Sequence, residues 1–173
     1  PLSADLNALR QSLLFGALES AQHNSNRKNQ DLKLFEFGAV HHLATSSANR
    51  GEQKSYIEEW HMSMLMTGMK AQPNWITQAV PTSFFDLKSA LISLLERLGF
   101  DMRPCFENPI EESDIFAEGI SITDTQKKIV AQYGKINSAL SAKFDIDKPV
   151  YYAEINMDIV YRNIRQRTQK NPI

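Results

Sequence analysis

The sequence predicts an α+β domain in which a mostly antiparallel sheet is flanked by helices, and three observations carry that expectation. Strand-like segments outnumber helical ones, they do not follow a regular strand–helix–strand rhythm, and two of them are separated only by the polar turn Asp124-Thr125-Gln126. A doubly wound parallel sheet needs the alternation this chain lacks. At 173 residues, against roughly 150 per domain, the chain is long enough for one buried core.

In chain order, Leu6, Leu9, Leu13, Leu14, Ala17, Leu18 and Ala21 recur at helical spacing, which predicts a long amphipathic helix capped by Ser3 or Asp5 and running to about residue 26. Gly16 inside it weakens the helix by about 1 kcal/mol relative to alanine. From Leu32 to His41 and from Ile57 to about Gly68, apolar and polar residues alternate as in strands, and the intervening 44–53 is small and polar, so the two strands are expected to pair antiparallel. A connection containing Pro73 leads to a helix over Phe84–Leu98 that Gly99 terminates. Ile115–Thr123 and Lys128–Ile136 form the hairpin. A short helix is expected over Asn137–Lys143, a strand over Val150–Ile155, and a final basic helix capped by Asp158. Met62, Met64, Met66 and Met69 read as adaptable packing on a sheet face, Trp60 as core, and Trp75 equally as core or interface.

Hydrophobic residues make up 42% of the chain and charged residues 23%, which disfavours disorder and fibrous repeats. Nineteen basic against 20 acidic residues leave a formal charge of −1, so only a local patch has the surplus to grip phosphates. The lone Cys105 and the lack of a secretory leader or a membrane-length apolar run point to a reducing cytoplasm. The opening Pro1-Leu2-Ser3, without an initiator methionine, reads as a domain cut from a longer polypeptide.

Several segments in fixed order carry a resemblance: Leu9 through Glu19, Asn26-Arg27-Lys28, Asp31 through Gly38, Asp86-Leu87-Lys88 through Gly99, Tyr133-Gly134-Lys135-Ile136, and Val150 through Asn156. Together they resemble the catalytic-like domain of the bacterial phenylalanyl-tRNA synthetase β subunit. The resemblance implies a class II synthetase core-like domain over residues 1–160. It places 161–173 as a basic helix end and linker toward an anticodon-binding domain outside this chain. It also implies a tetramer of two α and two β chains in which α activates phenylalanine with ATP and Mg, the whole enzyme binds tRNA, and this domain is a noncatalytic partner holding no cofactor of its own. One departure stands out: many β subunits carry His-Pro-Gly-Arg before the hairpin, where this chain reads Asp114-Ile115-Phe116-Ala117-Glu118.

The residues agree with a noncatalytic reading. Adenylate chemistry needs cations and close backbone approach around a triphosphate. The first strand ends Val40-His41-His42 where a catalytic member would present an arginine followed by a glutamate, the loop offers only Arg50 beside Gly51, and the glycines are scattered without an alternating cluster. His41, His42, His61, Glu58 and Glu59 could gather round a metal across paired strands, but they match no helix-borne zinc motif; the expectation is one half-buried and one solvated histidine and no metal. Cys105 beside Arg103, and Ser63 near His61, are set aside as nucleophiles for want of a supporting motif.

The expected role is assembly. A first helix with apolar residues on more than one side calls for a partner surface, so Leu9, Arg10, Leu13, Leu14, Glu19, Asn26 and Arg27 are the interface candidates. Two alternatives stand beside it: a self-sufficient adenylate-forming ligase, and a tRNA-binding module using Arg162, Arg165 and Arg167 on the last helix.

Overall fold

The computed structural model describes residues 9–43, 56–71, 75, 76 and 78–170, except for the side chains of 167–170. Six strands form one sheet in the order β1-β2-β6-β5-β4-β3, every neighbouring pair antiparallel. In chain order the elements are α1 (Leu14–Asn26), β1 (Leu32–Leu43), β2 (Tyr56–Thr67), α2 (Phe84–Arg97), β3 (Phe106–Pro109), β4 (Phe116–Thr123), β5 (Ile129–Ile136), α3 (Ser138–Ala142), β6 (Val150–Asn156) and α4 (Met157–Lys170). The expected fold class and the two hairpins are therefore present.

Each face of the sheet carries its own core. Leu87, Leu91 and Leu95 of α2 and Ile159 and Val160 of α4 bury against Ile122, Ala131, Tyr133, Ala153 and Ile155, with Met62, Met64 and Met66 packed beneath them as expected of adaptable side chains. On the other face Leu14, Ala17, Leu18 and Ala21 of α1 meet Leu32, Leu65, Ile136, Val150 and Tyr152.

Four expectations need correction. Helix α1 begins at Leu14, not near Leu6: residues 9–13 are nonhelical, and the Arg10 carbonyl accepts from the His41 amide on the outer edge of β1. The proposed caps Ser3 and Asp5, and Leu6, lie outside the described residues; Ser12 Oγ instead accepts from the Leu14 amide. Asp158 does not cap α4. Asn156 Oδ1 accepts from the Ile159 amide at 3.0 Å, while Asp158 reaches across to the Trp60 amide at 2.9 Å. Trp60 is not core either: it is 42% exposed and stacks on Phe37 with ring centroids 5.1 Å apart. Finally, β3 escaped the pattern reading because all four of its residues are exposed and it ends on Pro109, as befits an edge strand.

Gly99, with φ +81°, ends α2 as anticipated, and its left-handed backbone is why glycine stands there. Ser83 supplies an unanticipated capping box at the other end: its Oγ accepts from the Asp86 amide while the Asp86 carboxylate accepts from the Ser83 amide at 2.9 Å. In the hairpin turn, Asp124 Oδ1 accepts from the amides of Gln126 and Lys128, which fixes the reversal between β4 and β5.

Candidate functional site

Alternation along β6 builds the site. Ala153 and Ile155 face α2 and α4, so Tyr152, Glu154 and Asn156 must face the opposite side. Antiparallel pairing sets His61 of β2 opposite Asn156 and Ser63 opposite Glu154, which brings polar residues of four strands and of the segment before α1 into one cavity. That cavity has a volume of about 310 Å³ and is lined by Ser12, His42, Glu59, His61, Tyr152 and Glu154 among others.

Glu154 is its centre. One oxygen lies 2.7 Å from His61 Nδ1; the other accepts from Ser12 Oγ and from the Tyr152 hydroxyl, each at 2.6 Å. Burial opposes charge on this carboxyl, but the hydrogen bonds from His61, Ser12 and Tyr152 outweigh it, and the group is held below its ordinary range. Burial and the neighbouring carboxylate push the Tyr152 phenol far upward, so Tyr152 acts only as a donor.

The five residues weighed as metal ligands divide between the two faces. His41 pairs with Glu58 at 3.2 Å on the α2/α4 side of the sheet. His42, Glu59 and His61 meet on the cavity side, their donor atoms all within 4.8 Å of one another. Asn156 Nδ2 donates to Glu59 at 3.1 Å.

The other candidates are scattered. Leu13 and Leu14 are buried within the chain at 1% exposure, whereas Leu9, Arg10, Glu19, Asn26 and Arg27 are exposed. Arg10 is engaged internally, donating to the Ala39 carbonyl and pairing with Glu36 at 2.6 Å. Arg162 and Arg165 line a cleft they share with Glu58, Glu59 and Asp158; the Arg167 side chain and the Arg50-Gly51 pair lie outside the described residues. Trp75 is almost fully exposed. The Cys105 thiol is pushed up by burial and then by Asp124 and Asp101, and Arg103 is tied to Asp101, so no activating cation serves it. Ser63 is buried.

Sequence reasoning missed Ser12, Tyr152, Glu154 and Asn156. The signal was an acid at an inward position of a strand that is otherwise largely apolar.

Residues 1–157 match the family described as the phenylalanyl tRNA synthetase beta chain CLM domain. The chain is 39% identical over 166 residues to the phenylalanine–tRNA ligase beta subunit of Bacteroides thetaiotaomicron and 36% identical to that of Bacteroides fragilis, in each case covering 95% of this chain and 20% of the relative. The chain thus spans about a fifth of the length of these relatives. Among solved structures, pyrrolysyl-tRNA synthetase from Desulfitobacterium hafniense superposes with a TM-score of 0.63 at 16% identity, over 95% of this chain and 53% of that one. The fold is that of a class II synthetase catalytic-like domain. With the family match over the whole described sheet and these relatives in agreement, the chain belongs to the phenylalanyl-tRNA synthetase β-chain CLM-domain family.

Proposed function

We propose that this chain is a noncatalytic structural domain of a phenylalanine–tRNA ligase β subunit, one that supports assembly with the α subunit in a tetramer of two α and two β chains. The observation that carries the reading is the filling of the cavity face of the sheet. Where adenylate chemistry needs cations and bare backbone, this face presents Glu59, Tyr152 and a Glu154 carboxylate that its hydrogen bonds keep ionised, and no lysine or arginine lines the cavity among the described residues. A triphosphate brought there meets like charge in a partly desolvated setting, where repulsion is strong. The residues therefore do not fit ATP and Mg, which the proposal leaves to the α subunit.

An unpartnered apolar surface supports the assembly role. Helices α2 and α4 pack chiefly over β2, β5 and β6, leaving Phe35 at 77% and Phe37 at 49% exposure on the uncovered face of β1, with Trp60 beside them. With exposed Leu9 beside the β1 edge, these residues make the sheet edge the docking region for α; helix α1 lies on the opposite face of the sheet.

Two measurements test the proposal. Neither equilibrium titration with MgATP nor ATP–pyrophosphate exchange should register with the purified chain, and exchange above background overturns the noncatalytic reading. Full-length β carrying Phe35→Asp and Phe37→Asp should fail to co-purify with α while keeping its circular dichroism spectrum. Unchanged co-purification removes the docking surface. Leu13 and Leu14 are unsuitable for this test, since their substitution would disrupt the domain itself. For the tRNA-binding alternative, the acids lining the cleft with Arg162 and Arg165 weigh against a free phosphate-gripping patch.

A further inference from the structure

The cavity also contains an arrangement that the assembly reading does not use. From the convergence of His42 Nε2, His61 Nε2 and the Glu59 carboxylate we infer a binding site for one divalent transition ion of the zinc class, a property independent of docking to α. His61 Nε2 lies 3.6 Å and His42 Nε2 3.8 Å from the same Glu59 oxygen, and all three donors fall within 4.8 Å of one another. A tetrahedral ion with bonds of about 2.0–2.1 Å holds its donors roughly 3.4 Å apart. Small side-chain rotations therefore close the set.

Two features distinguish this cluster from an ordinary group of polar neighbours. First, His61 Nε2 is buried and has no hydrogen-bond partner, an expensive state that among the described residues it shares with His41 Nδ1, Thr82 Oγ1 and the Tyr133 hydroxyl, but of these four it is the one that stands in a group of three metal-ligating donors. Second, the other ring nitrogen is committed: Glu154 takes the Nδ1 hydrogen at 2.7 Å, which leaves the Nε2 lone pair directed toward Glu59 and His42. Glu154 is itself locked by Ser12 and Tyr152, and Glu59 is held by Asn156. A carboxylate orienting a histidine, which in turn presents its far nitrogen to a second carboxylate, is the support that a bound transition ion requires.

The donor types select the ion. Two imidazoles and one carboxylate suit zinc and its neighbours, whereas calcium and magnesium favour sets made of oxygen alone. With three protein donors, the fourth position opens into the cavity for water or a small anion. The ligands come from paired strands, so the ion ties β1 to β2 and, through Glu154 and Asn156, to β6.

The test uses the chain stripped with a chelator. Zn(II) is titrated in competition with a chromophoric chelator, and Co(II) is followed by its visible d–d absorption. The expected result is one ion per chain, with Co(II) absorption of four-coordinate intensity. Glu154→Gln, which touches no ion, should weaken affinity by about 10–100-fold, and His42→Ala and Glu59→Gln should weaken it further. His41→Ala, one residue from His42 but on the opposite face, should leave it unchanged. Circular dichroism of each variant keeps misfolding distinct from ligand loss, and His42, with a side chain 44% exposed, is the substitution the fold tolerates best. The proposal is overturned by failure to take up Zn(II) or Co(II) at micromolar concentration. It is equally overturned if affinity survives in His42→Ala and Glu59→Gln, or falls as much in His41→Ala as in His42→Ala.

Discussion

The two faces of the sheet solve opposite problems with the same strands. Along β6, Ala153 and Ile155 lie against α2 and α4 in a dry core, while Tyr152 and Glu154, one residue out of phase, form a hydrogen-bonded network that keeps a carboxylate charged inside the domain. The α2/α4 face supplies stability through area removed from water. The opposite face gives up part of that gain and obtains orientation: His61, Ser12 and Tyr152 all converge on Glu154, and the position of His61 follows from it.

Breaking the dry face should have the largest effect. Leu91 is fully buried between α2 and the sheet, and Leu91→Ala should destabilise the chain by about 2–5 kcal/mol, read from urea denaturation. On the polar face, Tyr152→Phe removes one donor to a buried carboxylate and should cost about 1–3 kcal/mol. The comparison is sharpened by combining it with Ser12→Ala. Both groups donate to the same oxygen of Glu154, so the double variant should deviate from the sum of the single ones, whereas Leu91→Ala with Tyr152→Phe should add. Additivity of the Ser12 and Tyr152 effects would mean that the network is not a unit.

The dry face was the more legible of the two in sequence. There the apolar run of α2 and the turn at Asp124 identify helix and hairpin, because burial on one side writes itself into spacing; the period-two alternation over β1 and β2 identifies the sheet as well, but its buried positions, such as Leu32 and Leu65, lie on the α1 face. The polar face was legible only in part: strand pairing predicts that His42, Glu59 and His61 can meet, whereas Ser12, Tyr152 and Glu154 come from distant positions that only the complete fold brings beside them. Adjacent His41 and His42 look like one candidate pair in sequence, yet the pleat sends them to different faces and different carboxylates. The start of α1 failed for a related reason. Leu9 and Leu13 continue the helical spacing, but the Arg10 carbonyl is taken by the β1 edge, and a tertiary hydrogen bond overrode the local pattern. The Ser83–Asp86 capping box was readable from its spacing and went unread.

That capping box makes the anchoring of the dry face sensitive to acid. Hydrogen bonds from Lys70 and Ser83 depress the Asp86 carboxyl from 3.8 to about 2. A depressed carboxyl contributes stability that is fully present above its unfolded pKa and lost as pH falls through the folded one. The stability difference between the chain and Asp86→Asn should therefore hold above about pH 4 and vanish toward pH 2, when urea midpoints are compared across that range. Ser83→Ala, which removes the reciprocal cap, should cost about 1 kcal/mol. A pH-independent difference would mean that the carboxylate is not ionised at the helix end.

The smallest expected effect is a gain, and it concerns the helix that covers the polar face. Gly16 lies inside α1 without a left-handed backbone, and a β-carbon there would meet only Glu36 Oε2 at 3.7 Å, an ordinary contact. Gly16→Ala should stabilise the chain by about 0.5–1 kcal/mol, because alanine leaves fewer unfolded conformations to give up. Gly68 provides the contrast. Its φ is +80° and a β-carbon would fall 2.3 Å from the Gln30 carbonyl oxygen, so Gly68→Ala should destabilise. Of these two glycines, the one in the helix is tolerated and the one after β2 is required. If Gly16→Ala were also destabilising in thermal melts, α1 would have to sit closer to β1 than the Glu36 contact indicates, and the glycine would then be what allows that approach.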